Sequence, residues 1–453
     1  MKRFLFLGLI LCSTFVYAQS KKNKNKSSQK PNIIFILADD LGIGNVSCYG
    51  ADNYKTPNVD ELAKNGMMFK HTFTAPLCGP SRALILTGRY AFRTGAVNQD
   101  ATGQMKPNVE IMMPKILKSA GYVTTCVGKW GQLPLGPAEF GFDDYLRFYK
   151  SGVYWNKGDK KMPYSENGVD KLLDDKEYMP DLMHNHLIHF IETHKDKPFY
   201  AYYPMSHVHG EILPTPDTKE DTKEPFSLFA DNVVYMDKLV GKLIHSLDSM
   251  KLRENTLIVF MGDNGTSNPW CTNSTIYGKK LSGKKGEMKE CGGLVPMIIN
   301  WPGVVAPQLV TNQLVDGSDF LPTFAEIAGA KLPKDIKVDG KSFANQIFGK
   351  SGAERDWIFV ELGKNWYVRS QNWKLNQAGE LFDMSNAPYE ERLITAENTT
   401  PESKDALKKL QSVLDELSPQ NGIVDTGDGS GRHANKVKKN AKKDKESKEE
   451  EKE

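Results

Sequence analysis

Asn32–Ala38 reads NIIFILA, a nearly unbroken apolar run with three isoleucines, and it passes directly into Asp39 and Asp40. Thr256–Met261, TLIVFM, has the same texture and passes through Gly262 into Asp263 and Asn264. Short β-branched runs without polar alternation predict strands buried on both faces of a parallel sheet. Weaker strand patterns occur in PFYAYY near Tyr200, YVTTCVG near Val123 and PMIINWPG near Ile298. Between them VDELAKNGM, MMPKILKSAG and DNVVYMDKLVGKLIHSLDSM repeat apolar residues at helical spacing. Strand alternating with helix predicts a doubly wound α/β domain. After DFLPTFAEIAGA the texture changes to the short aromatic strands WIFVELG, WYVRS, WKLNQ and ELFDM, then a helix around ALKKLQSVLDEL. That pattern predicts a small antiparallel subdomain closed by a helix. The boundary falls near Lys334, giving a catalytic domain over 31–334 and a C-terminal subdomain over 335–420.

The chain has 453 residues, 39% apolar and 25% charged, with a mean hydropathy of −0.48. This is an ordinary globular composition, which excludes collagen, general disorder and a multispan membrane protein. The formal charge of +3 conceals an uneven distribution. Five lysines lie in Ser20–Lys30, and eight lysines with six acids lie in Lys436–Glu453, leaving fifty acids against forty-four bases between Pro31 and Asn435. A mildly acidic body argues against a nucleic-acid partner, so any bound anion must meet a local cluster or a metal.

Residues 1–18 carry Lys2 and Arg3, an apolar stretch from Phe4 to Leu11, and Val16 and Ala18 placed as a cleavage site, the pattern of an export signal. The apolar run is well short of the roughly 20 residues of a membrane span, so no transmembrane anchor is expected. The mature chain is expected in the periplasm, with secretion or the cell surface as alternatives. Residues 19–30 read as a lysine-rich linker and 421–453 as a disordered charged tail. Beyond the leader five cysteines remain, Cys48, Cys78, Cys126, Cys271 and Cys291. An odd number in an oxidising compartment sets one thiol apart, and pairing among the rest is open.

Both of the best strands end in oxygen ligands, and ligands collect at strand carboxyl ends in open α/β sheets. Asp39, Asp40, Asp263 and Asn264 make a hard, all-oxygen set that suits Ca²⁺ or Mg²⁺ better than zinc. Either pair alone would read as a turn or a helix cap. Three converging acids would raise one another's pKa unless a cation lay between them. A second constellation is PLCGPSRALILTGR, Pro76–Arg89, in which Cys78 precedes a Pro-Ser start and a helix-like ALIL. A cysteine at a helix N-terminus meets backbone N–H groups that favour negative charge, and Arg82 adds a cation one turn on.

Here the chain resembles the type I, formylglycine-dependent sulfatases of the alkaline phosphatase superfamily. Their signature C-x-P-S-R-x-x-L-x-T-G-R is matched from Cys78 to Arg89 except for Ile85 in place of leucine. PNIIFILADDLG, GKW at Gly128–Trp130, a histidine after the central strand, GDNG at Gly262 and Lys285 ahead of a Gly-Gly-x-V-P-like turn extend the resemblance over most of the chain. It implies an alkaline phosphatase-like fold with a large mixed sheet flanked by helices. It also implies that a formylglycine-generating maturation enzyme converts Cys78 to formylglycine, whose hydrate supplies the nucleophile. One Ca²⁺ would be held by Asp39, Asp40, Asp263, Asn264 and the modified Cys78. Arg82 would orient the hydrate, Lys129 and Lys285 would bind sulfate oxygens, and His207 would protonate the leaving alcohol, with His209 competing for that role. Lys285 is preferred over Lys279, Lys280, Lys284 and Lys289 because it lies five residues before Glu290.

Two departures stand out. Gly131 replaces the histidine of the family's G-K-W-H, and Gln132 beside it exchanges no proton at neutral pH, so Lys129 or another histidine is the candidate base. Cys291 and Leu294 replace glycine and arginine of the family's E-G-G-x-R-V-P. The resemblance implies a hydrolase of sulfate esters, acting on sulfated polysaccharide fragments. Alternatives are a phosphate or phosphonate ester hydrolase and a catalytically silent protein that binds sulfated glycans.

Overall fold

The computed structural model describes residues 30–149, 151–427 and 431–432. The strands are β1 (Asn32–Ala38), β2 (Met67–Phe73), β3 (Val123–Lys129), β4 (Asp144–Phe148), β5 (Pro163–Glu166), β6 (Val169–Leu172), β7 (Phe199–Pro204), β8 (Thr256–Gly262), a short pair β9 (Thr275–Ile276) and β10 (Lys279–Lys280), β11 (Leu294–Asn300) and β12 (Leu309–Asp316). Ten of them form one mixed sheet in the order β12-β2-β11-β8-β1-β7-β3-β4-β5-β6. Its centre, β8-β1-β7-β3, is mutually parallel. A smaller antiparallel sheet contains β13 (Ile358–Leu362), β14 (Asn365–Arg369), β15 (Trp373–Asn376), β16 (Leu381–Asp383) and β17 (Arg392–Leu393), and the helix Pro401–Leu417 packs on it.

β1 is central because both of its faces are apolar. Ile33, Phe35 and Leu37 join a core shared with the helices Cys78–Thr87, Met113–Ser119 and Phe320–Ala328. Ile34 and Ile36 join the opposite core, built with Pro57–Lys64, Met179–His194 and Pro225–Ser249. Helices therefore cover both faces, the doubly wound arrangement the alternating pattern predicts.

The sequence reading leaves out the edge β4-β5-β6. Its strands are short, β6 is exposed throughout, and no apolar run announces them. Asn167 and Gly168 both adopt positive φ in the turn between β5 and β6, the local chemistry of a tight hairpin. The segment expected to begin the charged tail at 421 also differs. Ile423 N donates to Phe92 O (2.7 Å), Asn98 Nδ2 to Asp425 Oδ1 (2.6 Å) and Gln99 N to Gly431 O (2.9 Å), so this stretch is tied to the body by backbone and carboxylate hydrogen bonds. The leader 1–18, residues 19–29 of the linker and the tail beyond 432 lie outside the described residues. Cys48, Cys78, Cys126, Cys271 and Cys291 are free thiols, and among the described residues no helix is long and apolar enough to cross a membrane.

Glu361 on β13 ties the small sheet to the short helix Ala91–Thr94 by accepting a hydrogen bond from Phe92 N at 2.9 Å. Burial pushes its pKa up to about 8, against the weaker opposing effect of that hydrogen bond. A carboxyl raised in the folded state destabilises the fold as pH climbs from its unfolded value through its folded one. Glu361→Gln is expected to raise Tm over the parent near about pH 9, and the gain should vanish near about pH 4, as read by thermal unfolding across that range.

Candidate active site

The register of β1 and β8 sets Ala38 opposite Gly262, so the two acidic tips leave the sheet side by side. Asp263 N donates to Ala38 O (2.9 Å), and Asp40 N donates to Asp263 Oδ1 (3.0 Å). β3, two strands from β1, ends in Lys129, and the chain leaving β7 carries His207 and His209. All four central strands point the same way, so their carboxyl ends share one edge. Two further segments close over it. Cys78 is the first residue of the helix Cys78–Thr87, as its sequence context predicts. The Lys285 loop is held by Lys285 N donating to Thr266 O (3.0 Å) and Gly286 N donating to Pro76 O (2.8 Å).

The side chains form one buried charge cluster. Lys129 Nζ donates to Asp39 Oδ2 and lies 3.6 Å from Cys78 Sγ. Lys285 Nζ is 2.6 Å from Asp40 Oδ1 and 2.8 Å from Oδ2. Arg82 donates through Nη2 to Asp263 Oδ2 (2.8 Å) and through Nη1 to Lys129 O (2.9 Å). Three carboxylates thus face three cations. Burial alone would raise the Asp39 and Asp40 carboxyls, but Lys129 beside Asp39 and Lys285 beside Asp40 hold both below the usual range. Asp263 is pushed up to about 7, by burial first and then by the Asp39 charge. Burial works against the Lys285 charge, yet Asp40 keeps that ammonium above its ordinary range.

Asp39, Cys78 and Asp263 can each present a ligand atom within 4.8 Å of the others. Asp39 Oδ1 and Asn264 Oδ1 are buried acceptors that no donor among the described residues reaches, while Asn264 Nδ2 is engaged with Asp40 Oδ1 (2.9 Å). Apart from the Cys78 sulfur the donors are oxygens, two of them with unused buried lone pairs, a set that fits a hard divalent cation.

The structure brings together Asp39, Asp40, Cys78, Arg82, Lys129, Asp263, Asn264 and Lys285, and it places His207 elsewhere. The His207 ring is fully buried, its Nε2 hydrogen-bonds Tyr178 OH (2.9 Å), and Tyr154, Tyr178 and Tyr235 surround it. Burial pushes its pKa down to about 3. A ring enclosed by tyrosines has no path to a leaving group. His207 contributes its backbone instead: Asp39 N donates to His207 O (2.7 Å), and Val208 N donates to Asp39 O (2.6 Å). His209, a quarter exposed, is the histidine at the cluster, with Nε2 4.0 Å from Asp40 Oδ2. Its pKa is pushed down to about 4 by burial and then by Lys129.

Gln99 is a contact that the sequence reading missed. Its Nε2 donates to Cys78 Sγ at 3.1 Å, and Gln132 Oε1 stands 3.9 Å from the same sulfur. Gln99 lies in a loop with no motif around it, so no sequence signal marks it.

Comparison with known proteins identifies the family. Residues 31–330 match the family described as Sulfatase, and residues 284–420 match the family described as N-sulphoglucosamine sulphohydrolase, C-terminal. The chain belongs to the sulfatase family, as a type I sulfatase of the alkaline phosphatase-like superfamily. It is a sulfuric ester hydrolase. It is 29% identical to a sulfatase of Formosa agariphila, covering 91% of this chain and 93% of that one. It is 27% identical to the N-acetylgalactosamine-6-O-sulfatase of Bacteroides thetaiotaomicron, covering 88% and 95%. Among solved structures, Ps i-CgsB in complex with k-i-k-neocarrahexaose aligns with a TM-score of 0.76 at 27% identity, over 87% of this chain and 94% of that one.

Above about pH 7, where Asp263 is ionised, removing Arg82 would leave its buried carboxylate without its cation. Arg82→Ala is expected to cost about 3–5 kcal/mol, measured by denaturant unfolding of the metal-free protein. An unchanged unfolding midpoint would contradict the pairing.

Proposed function

We propose that the protein hydrolyses sulfate esters on sulfated saccharides, using a formylglycine at position 78 and one Ca²⁺ held by Asp39, Asp40, Asp263, Asn264 and residue 78. The observation that carries this reading is the buried convergence of residue 78, three carboxylates and three cations on one sheet edge. When bound, Ca²⁺ supplies a positive charge for the sulfate oxygens, and the formylglycine hydrate supplies an oxygen nucleophile. The saccharide class is supported by the relatives, one named an N-acetylgalactosamine-6-O-sulfatase and one solved with k-i-k-neocarrahexaose. A formylglycine-generating maturation enzyme is the partner this reading requires, and export to the periplasm, read from residues 1–18, suits a substrate met outside the cytoplasm.

The chain's own groups divide the work. With three carboxylates already balanced by three cations, a divalent cation leaves the cluster in positive excess, which draws in an anionic ester. Lys129 and Lys285 are then able to turn from the carboxylates to sulfate oxygens, where a fixed charge offsets what develops in the transition state. Arg82, bound to Asp263 and to the Lys129 carbonyl, holds the acidic tip and the lysine strand in fixed relation. His209, the more open of the two histidines and neutral in the free site, takes up a proton once the anionic ester is bound beside it and passes that proton to the leaving oxygen.

Cys78→Ala is expected to abolish sulfate release from defined sulfated oligosaccharides while keeping the parent Tm. The mass of the residue-78 peptide from material matured in its native host should show formylglycine rather than a thiol. Retained turnover in Cys78→Ala would defeat the reading, as would faster release of phosphate than of sulfate from matched esters.

The two histidines separate by variant. His209→Ala should lower kcat by about 10²- to 10⁴-fold, whereas His207→Ala should chiefly lower Tm by opening a cavity inside the tyrosine cage. Chelation should lower both activity and Tm, with Ca²⁺ restoring them, because a ligand bound only to the folded state stabilises it.

A further inference from the structure

We infer that Gln99 is a positioning residue for the side chain at position 78, and that the C-terminal segment holds Gln99 in place. This rests on the reading of residue 78 as formylglycine, with Cys78 Sγ standing where the oxygens of the hydrate would lie.

The orientation of the Gln99 amide is determined by its neighbours. Gly79 N–H can only donate, and it donates to Gln99 Oε1 at 3.1 Å. The opposite end of the amide is therefore the NH₂ group, which faces residue 78 at 3.1 Å and can only donate. Close approach depends on Gly79, since a Cβ there would stand 2.8 Å from Gln99 Oε1. Lys129 Nζ, at 3.6 Å, and Gln132 Oε1, at 3.9 Å, also stand near this sulfur, both farther from it than Gln99 Nε2. Gly131 has a φ of +72°, and a Cβ on it would look toward Arg82 Cδ (3.4 Å) and Lys129 Cε (4.0 Å), so this position faces the site without reaching into it.

The Asn98-Gln99 pair is anchored from outside the catalytic sheet. Gln99 N donates to Gly431 O (2.9 Å). Asn98 Nδ2 donates to Asp425 Oδ1 (2.6 Å), and Asn98 Oδ1 accepts from Ala101 N (2.7 Å). Asp425 is buried, and its Oδ1 also accepts from Gly427 N (2.8 Å). Asp425 and Gly431 thus brace the Asn98-Gln99 pair from the side away from residue 78.

A donor fixed on one hydrate oxygen selects which hydroxyl faces the ester and supports charge on the one that stays. An amide does not titrate, so Gln99 sets geometry without moving a proton.

The test uses the matured enzyme and its Gln99→Met and Asp425→Ala variants. Methionine keeps the bulk of glutamine and loses the donor. Gln99→Met should lower kcat by about 10- to 100-fold with KM changed by less than about threefold and an unchanged pH profile. An aminooxy reagent should label its residue 78 faster, because the freed hydrate reverts to aldehyde more readily. Asp425→Ala should show the same signature at smaller amplitude, which covers the case in which Gln99→Met does not fold. A Gln99→Met enzyme with parental kcat and labelling would overturn the inference, as would a loss carried by KM, a shifted pH profile, or failure of Cys78 to mature in that variant. Parental behaviour of Asp425→Ala would overturn the role of the C-terminal segment. Formylglycine content, read by peptide mass in each protein, distinguishes the two readings: its absence from the parent defeats the formylglycine reading, and its presence beside an unaffected Gln99→Met defeats this inference alone.

Discussion

Three carboxylates, Asp39, Asp40 and Asp263, are buried together at the tips of two adjacent parallel strands, with Asp40 N bonded to Asp263 Oδ1. Carboxylates removed from water are costly unless paired and hydrogen-bonded. Their partners come from separate places in the chain: Arg82 from a helix start, Lys129 from a third strand and Lys285 from a loop held to Thr266 and Pro76. The requirement that these segments meet at one point explains why loops distant in sequence are stitched together above the sheet. A cluster of this kind is no source of stability, since apolar residues of similar volume would serve as well or better. Its justification is chemical, and the stability comes from below, where β1 is packed on both faces.

That packing also gives the site its rigidity. The acidic tips continue a strand with no exposed residue, and the loop after β7 is clamped to them by the reciprocal Asp39–His207 and Val208–Asp39 backbone bonds. The tyrosines around His207 fill the space behind this clamp. One histidine is thus a packed, neutral ring that secures the segment, and the next but one reaches the cluster. Such a division of labour suits a site whose electrostatics must be set before substrate arrives.

Legibility in the sequence followed the strength of local signals. β1, β7, β8 and the long helix Pro225–Ser249 were readable because burial on both faces, or on one helical stripe, writes an apolar period directly into the chain. The β5–β6 hairpin had only Asn167-Gly168 to announce it, and its polar strands offered no period at all. β12 is exposed over its first half and similarly silent. The stretch around Asp425 looked like the start of a charged tail because a buried carboxylate held by one asparagine leaves no compositional trace.

The sequence by itself determined the acid-tipped strands, the cysteine at a helix start and the signature from Cys78 to Arg89, because each is a local pattern whose chemistry depends on near neighbours. Only the tertiary structure decided which of His207 and His209 faces the cluster, that Gln99 comes closer to residue 78 than Lys129 or Gln132 does, and that the C-terminal segment lies behind it. Those outcomes depend on the direction of a side chain after a bend and on contacts between segments far apart in the chain, and neither is encoded in spacing.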